Sequence, residues 1–93
     1  MEKLYFYLYV ISGSTSSEKA IIDIKNFCET DIVTNYEFII IDLLQDNYLI
    51  EENKIFVTPT LVYSHSTEEI RLVGDFSDKI KLIQMLELEK VYG

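Results

Sequence analysis

The chain is poor in the residues that do covalent, redox or metal chemistry. Among 93 residues there is one cysteine, Cys28, one histidine, His65, one proline, Pro59, and no tryptophan. A lone cysteine excludes an internal disulfide and agrees with a reducing compartment. His65 stands in a polar stretch, His65-Ser66-Thr67-Glu68, with no further ligands at workable spacing, so no metal centre or cofactor is expected. Basic residues are also scarce: 8 Lys and Arg against 16 Asp and Glu give a net charge of −8. Such a surface repels phosphate backbones and anionic lipid heads, which argues against nucleic acid and membranes as partners. No apolar run approaches a bilayer span, and the N-terminus lacks a basic stretch leading into an apolar core and a cleavage site. Cytoplasm is the expected location. Repeats and low-complexity segments are absent.

What is present is an ordinary globular composition, 48% hydrophobic and 26% charged, with seven Tyr and five Phe to build the core. The length suits a single domain, residues 1–93, in which every apolar face must be used. Leu4 to Ile11 is apolar on both period-two faces, as an inner strand covered on both sides would be. Thr15-Ser16-Ser17-Glu18 has the form of a capping box. Behind it Ala20, Ile21, Ile24, Phe27 and Cys28 recur at helical spacing, and the helix should end near Thr30 to Asp31. Tyr36 to Ile41, closed by Asp42, predicts a second strand, parallel to the first through a right-handed crossover. Asp46 or Asn47 can cap a short helix through Glu52. Thr60 to Ser64 and Glu69 to Val73 predict a hairpin turning through His65 to Glu68. After Gly74-Asp75, capping by Asp75 or Ser77 opens a last helix to Val91, with Ile80, Leu82, Ile83, Met85, Leu86 and Leu88 as its apolar side.

The resulting succession, βαβαββα, resembles the thioredoxin-like α/β fold, a mixed sheet with helices on both faces. Thioredoxin-like proteins carry Cys-x-x-Cys at the mouth of the first helix, where the helix dipole lowers a thiol pKa. Here Ser12-Gly13-Ser14-Thr15-Ser16-Ser17 fills that place, and Cys28 falls on the apolar stripe of the helix as a core residue. A binding surface is expected on this frame, with no enzymatic activity. The alternative is a degenerate redox or thiol-transfer protein, which a disulfide-reductase assay separates. Thr58-Pro59 precedes a strand at the position where thioredoxin-like folds use a cis proline to shape their binding edge, and Pro59 is expected to be cis.

Leu8-Tyr9-Val10, Ile41-Asp42-Leu43-Leu44, Glu51-Glu52-Asn53-Lys54-Ile55, Val57-Thr58-Pro59-Thr60-Leu61 and Val73-Gly74-Asp75-Phe76-Ser77-Asp78 together resemble the KaiB family of circadian clock proteins. The likeness spans nearly the whole chain, and the related input domain of the SasA clock kinase shares the frame. The resemblance implies a non-enzymatic regulator that docks on a KaiC-type ATPase ring. It also implies two possible folds: a monomeric thioredoxin-like form, competent for KaiC, and a tetrameric βαββααβ form. Gly74-Asp75 matches the hinge between them. Tyr9 and Lys19 match family positions on the first strand and first helix, and with Glu51, Glu52 and Lys54 they are the expected partner-binding residues. A KaiB paralogue with another protein partner is the remaining alternative. This chain departs from the family where Ser12-Gly13-Ser14-Thr15 replaces a Gly-Asn-Thr-Pro loop and where Ser64 to Glu69 replaces a proline-rich turn. Losing those prolines relieves constraints against a hairpin, so the thioredoxin-like form is the expected resting state.

Overall fold

The computed structural model describes residues 3–88. Its elements are β1 (Leu4–Val10), α1 (Thr15–Asp31), β2 (Tyr36–Asp42), α2 (Tyr48–Glu52), β3 (Thr60–His65), β4 (Glu68–Val73) and α3 (Lys79–Met85). They form one four-stranded sheet in the order β2-β1-β3-β4. β1 and β2 are parallel and the other pairs antiparallel, so the sheet is mixed. The order βαβαββα is the expected thioredoxin-like one, and residues 61 to 72 form a hairpin where the βαββααβ fold would need helix.

Alternation along β1 sorts the core into two layers. Leu4, Phe6, Leu8 and Val10 point to one face and are buried against Ala20, Ile24, Phe27 and Cys28 of α1 and Leu82 of α3. Phe6 is the centre of this layer, edge-on to Phe27 and Tyr36 and tilted against Tyr63. Tyr9 points to the other face, where Leu43, Ile55 and Val62 make a smaller core on which Tyr7, Ile41 and Leu49 of α2 pack. Helical cover thus reaches both faces, fully on the first and only at the C-terminal end of β1 on the second. Tyr5 and Tyr7, stacked 6.1 Å apart, fill the remaining part of that face and stay half-buried.

Local details differ from the sequence expectations for identifiable reasons. Ser14, not Thr15, caps α1: its extended backbone precedes the first helical residue, and its hydroxyl accepts from the Ser17 amide at 3.1 Å. Glu18, now one position past N3, reaches back to the Gly13 amide at 3.5 Å, while the Ser14 amide donates to the Ile11 carbonyl, so the reciprocal bond of a capping box is not made. Asn47 occupies the cap position of α2 but makes no side-chain cap bond. The hairpin turn is only Ser66-Thr67, because His65 and Glu68 already pair, and His65 is half-buried in β3 instead of solvated in a turn. Asp78, accepting from Lys81, caps α3 in place of Asp75 or Ser77; the Asp75 carboxylate is already engaged by the Ser77 amide at 3.0 Å. The apolar side of α3 is narrower than expected, since Ile80 is 71% and Met85 46% exposed. α3 stops at Met85, and Glu87 at φ 56 turns the chain so that Leu88 is buried from a turn. The part of that expected helix after Leu88 lies outside the described residues.

Candidate partner-binding face

The loop that would hold a redox motif is instead a hydrogen-bonded helix mouth. Ser17 is fully buried, and its hydroxyl accepts from the Ile11 amide at 3.1 Å while its own amide caps on Ser14. Across from it the Asp42 carboxylate accepts from the amides of Ser12 and Leu44, at 3.3 and 3.1 Å. The Ser12 side chain first, and then the amides of Leu44 and Ser12, hold the Asp42 carboxyl below the ordinary carboxylate range. The strand end, the helix mouth and the start of the Leu43 segment are therefore tied into one edge. Cys28 lies on the inner face of α1, 1% exposed, and burial pushes its thiol up to about 12. At neutral pH it is a protonated core residue, with none of the thiolate character that thiol exchange needs.

Four of the expected site positions, Lys19, Pro59, Gly74 and Asp75, converge beside this mouth. A groove of about 340 Å³ runs between α1, the Val57-Thr58-Pro59 segment and Gly74-Asp75-Phe76. The Thr58-Pro59 bond is cis, and Thr60 secures the turn by donating its hydroxyl to the Val57 carbonyl. Gly74 adopts φ 105, a conformation that L side chains rarely enter. Lys19 bridges the groove wall: its ammonium is 2.6 Å from Asp23 and 3.4 Å from Asp75. The hydrogen bond to Asp23 chiefly raises the Lys19 pKa, while Ser77 and then Lys19 keep the Asp75 carboxyl low. Lys19 thus presents its charge between two carboxylates, linking α1 to the segment that carries Gly74.

The other positions gather around α2. Tyr9 is 7% exposed, so it offers a partner almost none of its own surface. Alternation turns it under the α2 segment, where its hydroxyl accepts from the Asn53 amide at 3.0 Å. Burial raises the Tyr9 pKa, and the Asn53 bond partly offsets that. Glu51, Glu52 and Lys54 are exposed at the end of α2, with Lys54 at φ 55 ending the turn. Arg71 pins this end to the sheet by donating to the carbonyls of Asn53 at 2.7 Å and Lys54 at 3.1 Å. Neither Arg71 nor Asn53 was singled out by the sequence; the contacts span 17 and more residues, and no local pattern announces them. Phe56, Val57 and Val73, 84%, 55% and 60% exposed, add an apolar strip between the α2 end and the groove.

Comparison with known proteins agrees with this frame. Residues 7–88 match the KaiB domain family. The chain is 34% identical over 88 residues to circadian clock protein KaiB3 of Synechocystis sp., covering 95% of this chain and 86% of that one. It is 38% identical over 81 residues to circadian clock oscillator protein KaiB of Picosynechococcus sp., covering 87% and 78%. Among solved structures, the N-terminal domain of Synechococcus elongatus SasA superposes with a TM-score of 0.75 at 20% identity, over 100% of this chain and 88% of that one. The thioredoxin Deadhead of Drosophila melanogaster gives 0.70 at 19% identity, over 91% and 79%. The structural neighbours establish a thioredoxin-like fold, and the sequence relatives place this chain, with its serine-filled helix mouth and buried Cys28, in the KaiB family.

Proposed function

We propose that this protein is a non-enzymatic regulator that binds the ring of a KaiC-type ATPase. Its docking face is built from the end of β1, the mouth of α1 and the Leu43 to Lys54 segment. Membership of the KaiB family carries this reading. The burial of Cys28 supports a binding role over thiol transfer, because a thiol with a pKa of about 12 supplies almost no nucleophile at neutral pH. Lys19, Glu51, Glu52 and Lys54 are the exposed side chains assigned to contact, and Tyr9 acts from beneath by holding Asn53 and with it α2. Gly74-Asp75 is the proposed hinge between this thioredoxin-like arrangement and a βαββααβ state, with the Lys19 to Asp75 bridge favouring the former. Cytoplasm is the proposed location; among the described residues no helix is long and apolar enough to cross a membrane. Immobilised KaiC-type ATPase hexamer should retain the purified chain in a saturable way. Failure to bind any such ring, with the chain folded, would contradict the assignment.

A further inference from the structure

Burial reverses within one residue after the α2 segment. Ile55 is 3% exposed, in the small core with Tyr9, Leu43 and Val62, whereas Phe56 is 84% and Val57 55% exposed. The backbone is fastened on either side of this step: the Ile55 amide donates to the Ile50 carbonyl at 2.9 Å, and the Val57 carbonyl accepts from the Thr60 hydroxyl. The Phe56 ring is therefore held out in water on an anchored segment. A single exposed apolar residue is ordinary. Phe56 and Val57, however, share one depression of about 390 Å³ with Val73, whose side chain is left open at the end of β4. Lys54, Thr60 and Arg71 complete its lining.

Charge at this depression runs against the rest of the molecule. The chain has 16 acidic residues and 8 basic ones, yet both ionic side chains in the lining are basic. Arg71 is committed within the chain: its terminal nitrogens bond the Asn53 and Lys54 carbonyls and its Nε lies 3.8 Å from Glu69, so it serves as a wall. The Lys54 ammonium has no ion-pair partner among the described residues. An apolar hollow with one uncommitted cation at its edge is complementary to a large apolar side chain with a carboxylate beside it. A second copy of this chain is a poor occupant, since it brings a further net charge of −8, and the same charge opposes an anionic lipid surface.

We propose that Phe56, Val57 and Val73 are the apolar anchor of the docking face and receive a partner loop that presents a large apolar side chain beside an Asp or Glu. The proposal rests on the reading that the partner is a KaiC-type ATPase ring, and it carries the face past Lys54 onto residues that reading leaves out. Affinities of wild type, Phe56→Ser and Lys54→Gln for the ATPase hexamer, at low and high salt, test it. Phe56 lies outside the core, so Phe56→Ser should melt as wild type does, yet bind on the order of tenfold or more weakly at both salt concentrations. Lys54→Gln should bind about threefold more weakly at low salt, with the deficit vanishing at high salt. Wild-type affinity in folded Phe56→Ser, or a deficit that salt removes, would overturn the anchor and leave the ATPase assignment standing. Wild-type affinity of Lys54→Gln at low salt would overturn the carboxylate. No binding by folded wild type would overturn both readings together. Sedimentation of the chain alone and flotation with phosphatidylserine vesicles cover the other occupants: self-association or vesicle binding that Phe56→Ser abolishes would overturn the partner loop.

Discussion

Replacing Cys28 with serine should cost stability and leave function intact. The side chain is 1% exposed within the layer formed by Ile24, Phe27 and β1. Serine there keeps nearly the same shape but buries a hydroxyl among apolar neighbours, which costs about 1 to 3 kcal/mol depending on whether it finds an acceptor. Helical serines can donate to the carbonyl four residues earlier, here that of Ile24, so the lower end, about 1 kcal/mol, is expected. In a domain of this size that lowers the melting temperature by roughly 4–8 °C. Thermal unfolding followed by circular dichroism reads the cost, and partner affinity and disulfide-reductase turnover are measured on the same preparations well below the transition. Stability should fall while affinity stays at the wild-type value and turnover is undetectable in both proteins. Reductase turnover in the wild type that vanishes in Cys28→Ser, or affinity lost without any change in melting temperature, would refute the assignment of Cys28 to the core alone.

Backbone chemical shifts should report strand across residues 60–65 and 68–73 and helix across 79–85; helical shifts through 61–72 would show that the βαββααβ arrangement prevails in solution. Tyr9→Phe removes the acceptor of the Asn53 amide and should cost about 1 kcal/mol while speeding amide exchange across residues 48–53; unchanged stability and exchange would mean that the hydroxyl does not anchor α2. The carboxyls of Asp42 and Asp75 sit below their ordinary value of 3.8 in the folded chain, so the stability they contribute is complete above that value and is lost as pH falls through the depressed folded values. Acid unfolding of Asp42→Asn should therefore depend less steeply on pH below about 4 than that of wild type, and identical pH profiles would count against the Ser12 and Leu44 bonds.

The alternation in Leu4 to Ile11 and the helical spacing of Ala20 to Cys28 made the layered core legible, because burial on a two-residue or a 3.6-residue period leaves its mark in neighbouring residues. The hairpin was legible for the same reason, though its turn was drawn too long: Ser66 tolerates a positive φ of 57, which lets His65 and Glu68 close the ladder. Helix caps moved by one to three positions, since serines and aspartates crowd both helix mouths and only backbone geometry chooses among them. The groove joining Lys19, Pro59 and Gly74-Asp75 was legible only as separate motifs that the fold brings together. The burial of Tyr9 beneath α2 was not legible, because the segment that closes over it is pinned by Arg71 from far along the chain. Contacts between residues so far apart in the chain leave no periodic trace.

Equilibrium binding of fluorescently labelled wild type and Lys19→Glu to a KaiC-type ATPase hexamer, at low and high salt with folding verified in parallel, tests the proposed role most directly. Wild type should bind saturably. Lys19→Glu, which sets a third carboxylate beside Asp23 and Asp75, should bind on the order of tenfold more weakly at low salt, with a deficit that shrinks as salt rises. No binding by folded wild type, or wild-type affinity in the folded variant at both salt concentrations, would contradict the partner or the face assigned to it.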